Sequence, residues 1–390
     1  GRLIPTDRRA RADWSIALAE AGGARAGDIV LAEPLPQHRP MGARPARVVE
    51  VLGRMGEPRS VSLVSIHAHG IPDIFPAEAL EEAERARGVT KRGREELRDL
   101  PLVTIDGEDA RDFDDAVFAE PTPEGWRIVV AIADVAHYVK PGSALDREAW
   151  ARGNSVYFPD RVVPMLPEAL SNGWCSLRPG EDRGCLFVEM RFDRSGTKVS
   201  HRFGRGIMRS WARLTYEQVQ AAQDGGTEPE GVPPGGLAHL HGAFRALLAA
   251  RERRGTRELD VPERRVLLDA KGEVQAVVPR ARLDSHRLIE EFMVAANVCA
   301  AEELERLRQP CMYRVHDRPS DEKLEGLRQF LAGLDITLAP RDRLHPRDFS
   351  HVLELVRGRP EERLVNEAVL RGQAQAAYSP DNIGHFGLAL

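Results

Sequence analysis

Over the first 76 residues, short runs of β-branched and aliphatic positions alternate with polar ones and are cut by Gly and Pro. The pattern predicts strands at residues 2–5, 28–33, 44–52 and 60–68, with Gly27-Asp28, Gly53 and Gly56-Glu57-Pro58 as punctuation. Short strands at this spacing suit a small β-barrel of the OB type, and a β-sandwich fits nearly as well. From residue 77 to 100 the chain turns charged, as in Glu81-Glu82-Ala83-Glu84-Arg85-Ala86-Arg87, and has few apolar anchors. That composition predicts a solvated connecting helix.

Beyond residue 100 both periodicities appear. Residues 127–139 form a near-continuous apolar run, as in a strand covered on both faces. Leu186, Val188, Met190 and Phe192 alternate with Glu189 and Arg191, and Asp193-Arg194-Ser195-Gly196 supplies a turn into another strand. Residues 225–236, rich in Gly and Pro, predict a flexible loop between helices. The strongest helix spans residues 285–308, with Leu288, Ile289, Phe292, Met293, Ala296, Ala300, Leu304 and Leu307 as its stripe. Asp284 or Ser285 is placed to cap its start, and Pro310 stops it. Asn297, on or beside that stripe, reads as a buried structural amide. The expected architecture is α+β: a barrel at 1–76, a helical connector at 77–99 and one mixed domain at 100–390.

Composition narrows the function less than it narrows the class. With 390 residues, 42% hydrophobic and 29% charged, the chain has the makeup of a water-soluble globular protein. No run of eighteen apolar residues predicts a membrane span. The amino end has neither an initiator Met nor an apolar signal core, which reads as a processed or trimmed start of a cytoplasmic protein. A net charge of −5 argues against a generic nucleic-acid coat. Cys175, Cys185, Cys299 and Cys311 form no close pair, so they read as reduced and buried rather than as a zinc site. His67, His69, His239 and His241 have no Cys or acid partner nearby in sequence and are taken as incidental.

The segment 102–106 reads as a strand ending at an acid, Asp106. Gly107-Glu108-Asp109-Ala110-Arg111-Asp112-Phe113-Asp114-Asp115 follows, then apolar Ala116-Val117-Phe118. A strand, an acidic loop and a second strand gather carboxylates at one point, which is costly without a cation among them. No frame starting at Asp106, Asp109 or Asp112 has the Gly at position six and acid at position twelve of an EF-hand, so a calcium loop is rejected. Magnesium suits such a cluster, because it takes oxygen ligands, keeps waters and is completed by phosphate oxygens. Two such ions about 4 Å apart hold the attacking and leaving oxygens of phosphodiester hydrolysis. A solvated acidic surface loop is the competing reading.

TIDGEDARDFDDAV closely resembles the acidic signature of the ribonuclease II / ribonuclease R family, whose catalytic module is the RNB domain. The resemblance continues through residues 130–183 and 285–304, then YRVHDRPSDEKL from Tyr313 and YSPDNIGHFGLAL from Tyr378. The first ninety residues are similar to the family's cold-shock-type OB module.

The resemblance implies a magnesium-dependent 3′-to-5′ exoribonuclease that releases 5′-mononucleotides from single-stranded RNA. Manganese would be a substitute metal, with no organic cofactor. Independently of the resemblance, no membrane partner and a monomeric state are expected. By the resemblance, Asp106, Asp112, Asp114 and Asp115 surround the metal, Asp114 is the most critical acid, and Glu108 and Asp109 matter less. Tyr157 matches the aromatic that stacks on the 3′-terminal base, which tolerates any sequence. Where other members place a second aromatic, the region 255–262 here has Thr256-Arg257-Glu258-Leu259, so a one-sided clamp is expected. Glu290 or Glu291 would bond a ribose 2′-hydroxyl. Arg314 and His316 resemble a segment near the RNA channel, where phosphate contact and plain packing are both open.

In the family a Ser-Pro-Ile-Arg-Arg run and a second OB module follow GHFGLAL. The sequence ends at Leu390, so a carboxy-terminal truncation is expected and, with it, weak activity for lack of the phosphate-contacting Arg. An RNA-binding regulator with a degenerate RNB domain is the rival function. A magnesium-dependent DNA exonuclease is a third.

Overall fold

Two long strands carry the amino-terminal sheet, with Gly27 just before one and Gly53 near the end of the other. In the computed structural model, which describes residues 1–7, 14–36, 42–256 and 263–390, the order is β1 (Arg2–Leu3), β2 (Trp14–Ser15), β3 (Asp28–Pro34) and β4 (Arg44–Arg54). They form a sheet in the order β1-β2-β4-β3, with β2 and β4 parallel and the other pairs antiparallel. Among the described residues this sheet is open and does not close into the expected barrel. Gly53 takes φ +151° and a Cβ there would sit 2.5 Å from Ser60 Oγ, so this position near the end of β4 needs glycine.

The fourth expected strand is instead a helix, α1 (Pro58–Ala68). Pro58 at the first helical position pre-sets the backbone, and the Ser60 hydroxyl donates 3.0 Å to the Arg54 carbonyl. Of the β-branched residues, Ile66 is 1% exposed while Val61 is 70% exposed, so the helix is anchored on the Ile66 side. Helical burial therefore overrode β-propensity. The connector is shorter than expected. Helix α2 (Ala77–Glu84) buries Ala79 and Ala83 four residues apart and stops, leaving residues 85–94 non-helical.

Two compact units emerge. The first joins residues 1–86 to 138–171 and 264–280. It includes the helix Ala144–Arg152, capped by Ser143 at the Asp146 N–H, and the short hairpin of Val156–Tyr157 with Val162–Val163. Arg152 stacks its guanidinium 3.6 Å over the Phe75 ring.

The second unit is built on a seven-stranded sheet. Its strands are β5 (Glu95–Glu96), β6 (Val103–Asp106), β7 (Asp115–Thr122), β8 (Gly125–Ala133), β9 (Asp182–Asp193), β10 (Lys198–Arg209) and β11 (Ala212–Thr215). Their order is β11-β6-β7-β8-β9-β10-β5. The apolar run at 127–139 supplies β8 and then yields to a short helix, Val135–Tyr138. In β9, Val188, Met190 and Phe192 enter the core, as the alternation predicts, while Leu186 on the same face stays exposed near the strand's start.

Helices α3 (Tyr216–Gln223), α4 (Gly236–Arg254) and α5 (Asp284–Arg306) cover that sheet. Leu288, Ile289, Phe292 and Ala296 of α5 join Ile105, Val117 and Val130 in one core. Neither Asp284 nor Ser285 caps α5; the Leu283 N–H donates to His286 Nδ1 at 3.1 Å, and Ser285 instead bonds the Tyr216 carbonyl. Asn297 is exposed, so it is not the buried amide expected.

The chain then adds β12 (Tyr313–Val315), α6 (Asp321–Ala332), α7 (Pro346–Val356), α8 (Glu362–Gly372) and β13 (Ala377–Ser379). The three helices enclose a separate core of Leu327, Leu331, Phe349, Val352, Val365 and Val369, and β12 pairs with β13. Among the described residues, no helix is long and apolar enough to cross a membrane. All four cysteines are free and Cys311 is only half-buried. Burial pushes the Cys175 and Cys185 thiols up to about 12 and Cys299 to about 11.

Candidate active site

Asp106 closes β6, which lies between β11 and β7 in the sheet. The parallel register sets Thr215 opposite Asp106 and Arg213 opposite Thr104. Asp115 opens β7 and pairs with Ile132 of β8. Two neighbouring strands thus deliver Asp106 and Asp115 to the same end of the sheet, with Asp112 and Asp114 on the loop between them.

That loop is held by bonds from distant segments. Arg213 Nη2 donates to the carbonyls of Gly107 at 2.7 Å and Glu108 at 2.6 Å. The Ser176 hydroxyl donates to Arg111 O at 2.8 Å and accepts the Phe113 N–H at 3.1 Å. Leu177 N–H reaches Phe113 O, and Ala133 N–H reaches Asp114 O, at 2.8 and 2.9 Å. Phe113 is buried, so alternation about it turns Asp112 and Asp114 away from the core.

Burial, joined at Asp106 and Asp114 by repulsion from neighbouring acids, makes Asp106, Asp114 and Asp115 hard to ionise. Asp106 is pushed up to about 7, by burial first and then by Asp115, Asp112 and Asp114, against the opposing pull of Arg213. Asp114 rises to about 6 through loss of solvent around its carboxyl, with Asp112 and Asp115 adding to it, although its side chain still reaches water. Asp115 rises to about 6 by burial.

Asp106 Oδ2 is buried with no hydrogen-bond partner. A buried, unpartnered carboxylate oxygen beside three further acids fits a divalent cation. Among the described residues, no three such side chains converge closely enough to hold a metal by themselves. Magnesium tolerates this, since it takes few carboxylates and keeps waters or phosphate oxygens for the rest.

Tyr157 belongs to the first unit, on its short hairpin, and is 64% exposed. Glu291 is 4% exposed and ion-paired with Arg251 of α4, while Glu290 is half-buried between Arg251 at 3.4 Å and Arg282 at 2.5 Å. Arg314 is exposed on β12, 4.7 Å over the Tyr378 ring. His316 is 7% exposed, and both ring nitrogens are engaged. Its Nδ1 accepts the Gly387 N–H at 2.9 Å, so Nε2 carries the proton to Ala374 O at 3.0 Å. Thr256 is buried on the Arg251 carbonyl, and residues 257–262 of the expected second clamp lie outside the described residues.

Three residues that shape the site were not anticipated. Ser176 and Arg251 have no local signature, because their partners lie 63 to 65 and 40 positions away. Arg213 has a faint one. Thr215-x-x-Gln218 is a capping box that marks the start of α3, hence a strand just before it and an arginine near that strand's end.

Sequence and structure comparisons converge on one class. The RNB domain matches residues 94–390 and a cold shock domain matches residues 3–76. The chain belongs to the RNB-domain family.

Within that family its similar relatives are called Ribonuclease R. Those of Vibrio parahaemolyticus and Escherichia coli are each 42% identical across 100% of this chain, covering 47% and 49% of their own lengths. The chain therefore spans about half the length of the curated relatives it matches. The solved apo RNase R of Mycoplasma genitalium superposes with a TM-score of 0.91 at 27% identity, over 97% of this chain and 60% of that one. The fold also matches yeast Ssd1, a pseudonuclease, at a TM-score of 0.72 and 17% identity, over 100% of this chain and 50% of that one. Fold alone does not decide activity.

Proposed function

We propose that this protein is a 3′-to-5′ exoribonuclease that hydrolyses single-stranded RNA to 5′-mononucleotides, with two magnesium ions held by Asp106, Asp112, Asp114 and Asp115. The observation that carries the reading is the acid cluster, where Asp106 Oδ2 is buried and unpartnered and three carboxyls are pushed up to between about 6 and 7. Magnesium bound there supplies an activated water and neutralises charge on the reacting phosphate.

The chain's own residues do the rest. Asp114, the acid most open to solvent, orients the attacking water, and Asp106 and Asp115 hold fixed positions at the ends of β6 and β7. Tyr157 stacks on the terminal base, a sequence-tolerant contact worth about 1–3 kcal/mol. Glu290, nearer solvent than Glu291, accepts the ribose 2′-hydroxyl, and Arg314 meets phosphate from the exposed face of β12. Glu291 and His316, already satisfied by Arg251 and by backbone, hold those groups in place.

We divide the protein into an RNA-binding domain at 1–76, a connector at 77–99 and a catalytic domain at 100–390, and place it in the cytoplasm as a monomer. Retention of all four aspartates opposes the degenerate regulator. The RNase R of Mycoplasma genitalium has been solved with ribose-methylated single-stranded RNA, which supports an RNA substrate. To test the reading, 5′-labelled single-stranded RNA and DNA of one sequence are incubated with the protein in magnesium or EDTA. Stepwise 3′ shortening of RNA alone, in magnesium alone, is expected. Equal cutting of DNA, or cutting in EDTA, overturns it.

A further inference from the structure

Strand β11 is fixed along its length. Ala212 and Leu214 are buried, Trp211 N–H donates to Leu102 O at 2.8 Å, and Thr215 caps α3. From that strand Arg213 reaches across the end of β6 to the first residues of the acidic loop. One guanidinium nitrogen takes both the Gly107 and Glu108 carbonyls, and the group lies 5.6 Å over the ring of Phe113. Both limbs of the loop, the entry beside Asp106 and the return between Asp112 and Asp114, therefore meet the same side chain. Its Nη2 is engaged by backbone, while the charge of the group acts on Asp106 from a distance and favours that carboxylate's ionised form.

We propose that Arg213 is a positioning residue for the metal site: it clasps the two carbonyls and covers Phe113, and so fixes the separation of Asp106 from Asp112, Asp114 and Asp115. Six acidic side chains crowded into residues 106–115 push the loop apart, and β-pairing restrains only its ends. A planar cation that grips backbone counters this without bonding a ligand oxygen. Partners one step behind metal ligands of this kind affect metal affinity by about 10- to 100-fold. The proposal rests on the four aspartates being the metal site.

The test compares the protein with Arg213→Gln, Arg213→Lys and Asp114→Asn, each titrated with magnesium. Metal binding is read by calorimetry without RNA, and 3′ shortening of RNA is read in parallel. Arg213→Gln is expected to raise the half-saturating magnesium concentration about 10- to 100-fold in both readouts. At saturating metal it leaves KM for RNA unchanged and recovers most of kcat. Arg213→Lys keeps the charge but loses the planar face over Phe113, so it lies between, raised at least roughly threefold. Unchanged half-saturation in Arg213→Gln overturns the proposal; if that variant does not fold, unchanged half-saturation in Arg213→Lys does so. If Asp114→Asn also leaves metal binding unchanged, the metal-site reading fails instead.

Discussion

Asp106, Asp114 and Asp115 bind protons more tightly in the folded protein than in the unfolded chain, at about 7, 6 and 6 against about 4. Between pH 4 and 7 the native state therefore holds more protons, and stability falls as pH rises through that window. In EDTA, the thermal midpoint is expected to drop from pH 5 to pH 8. Asp106→Asn flattens that slope and raises the midpoint at pH 8, and magnesium does the same for the unmodified protein. Thermal scans across pH check this, and an identical slope in Asp106→Asn contradicts it.

At this scale the acids themselves were readable, because their chemistry is local: five aspartates within ten positions. The engagement of Glu291 by Arg251 and of both His316 nitrogens was not, since each partner is set by tertiary packing 40 or more positions away.

Single elements explain why the loop stays in place. Ser176 serves two backbone groups of the loop at once and is itself fully buried. Ser176→Ala leaves the Phe113 N–H and the Arg111 carbonyl without that partner, costing about 1–3 kcal/mol. Urea unfolding should show that loss together with a reduced kcat, and unchanged stability would remove Ser176 from the account. Periodicity revealed β9 and α5, where apolar spacing alone dictates burial. It misread residues 60–68, where Pro58 and the packing of Ile66 chose a helix over a β-branched strand. The charged run after residue 77 also promised more helix than Ala79 and Ala83 could anchor.

At the scale of the whole molecule, the proposed residues fall in both units. The second holds the acids, while Tyr157 stands exposed in the first. Tyr157→Ala is expected to weaken single-stranded RNA binding by about 1–3 kcal/mol with little change in metal affinity. Fluorescence anisotropy with a labelled oligonucleotide measures it, and unaltered RNA affinity contradicts the stacking role.

The central claim is that these carboxylates make a metal-dependent RNA hydrolysis site, and Asp114→Asn tests it most directly. Single-turnover shortening of 5′-labelled RNA is measured in saturating magnesium, with RNA affinity measured alongside. A rate reduced about 10²- to 10³-fold or more, with RNA binding retained, is expected. Shortening at the unmodified rate by the Asn variant would contradict it.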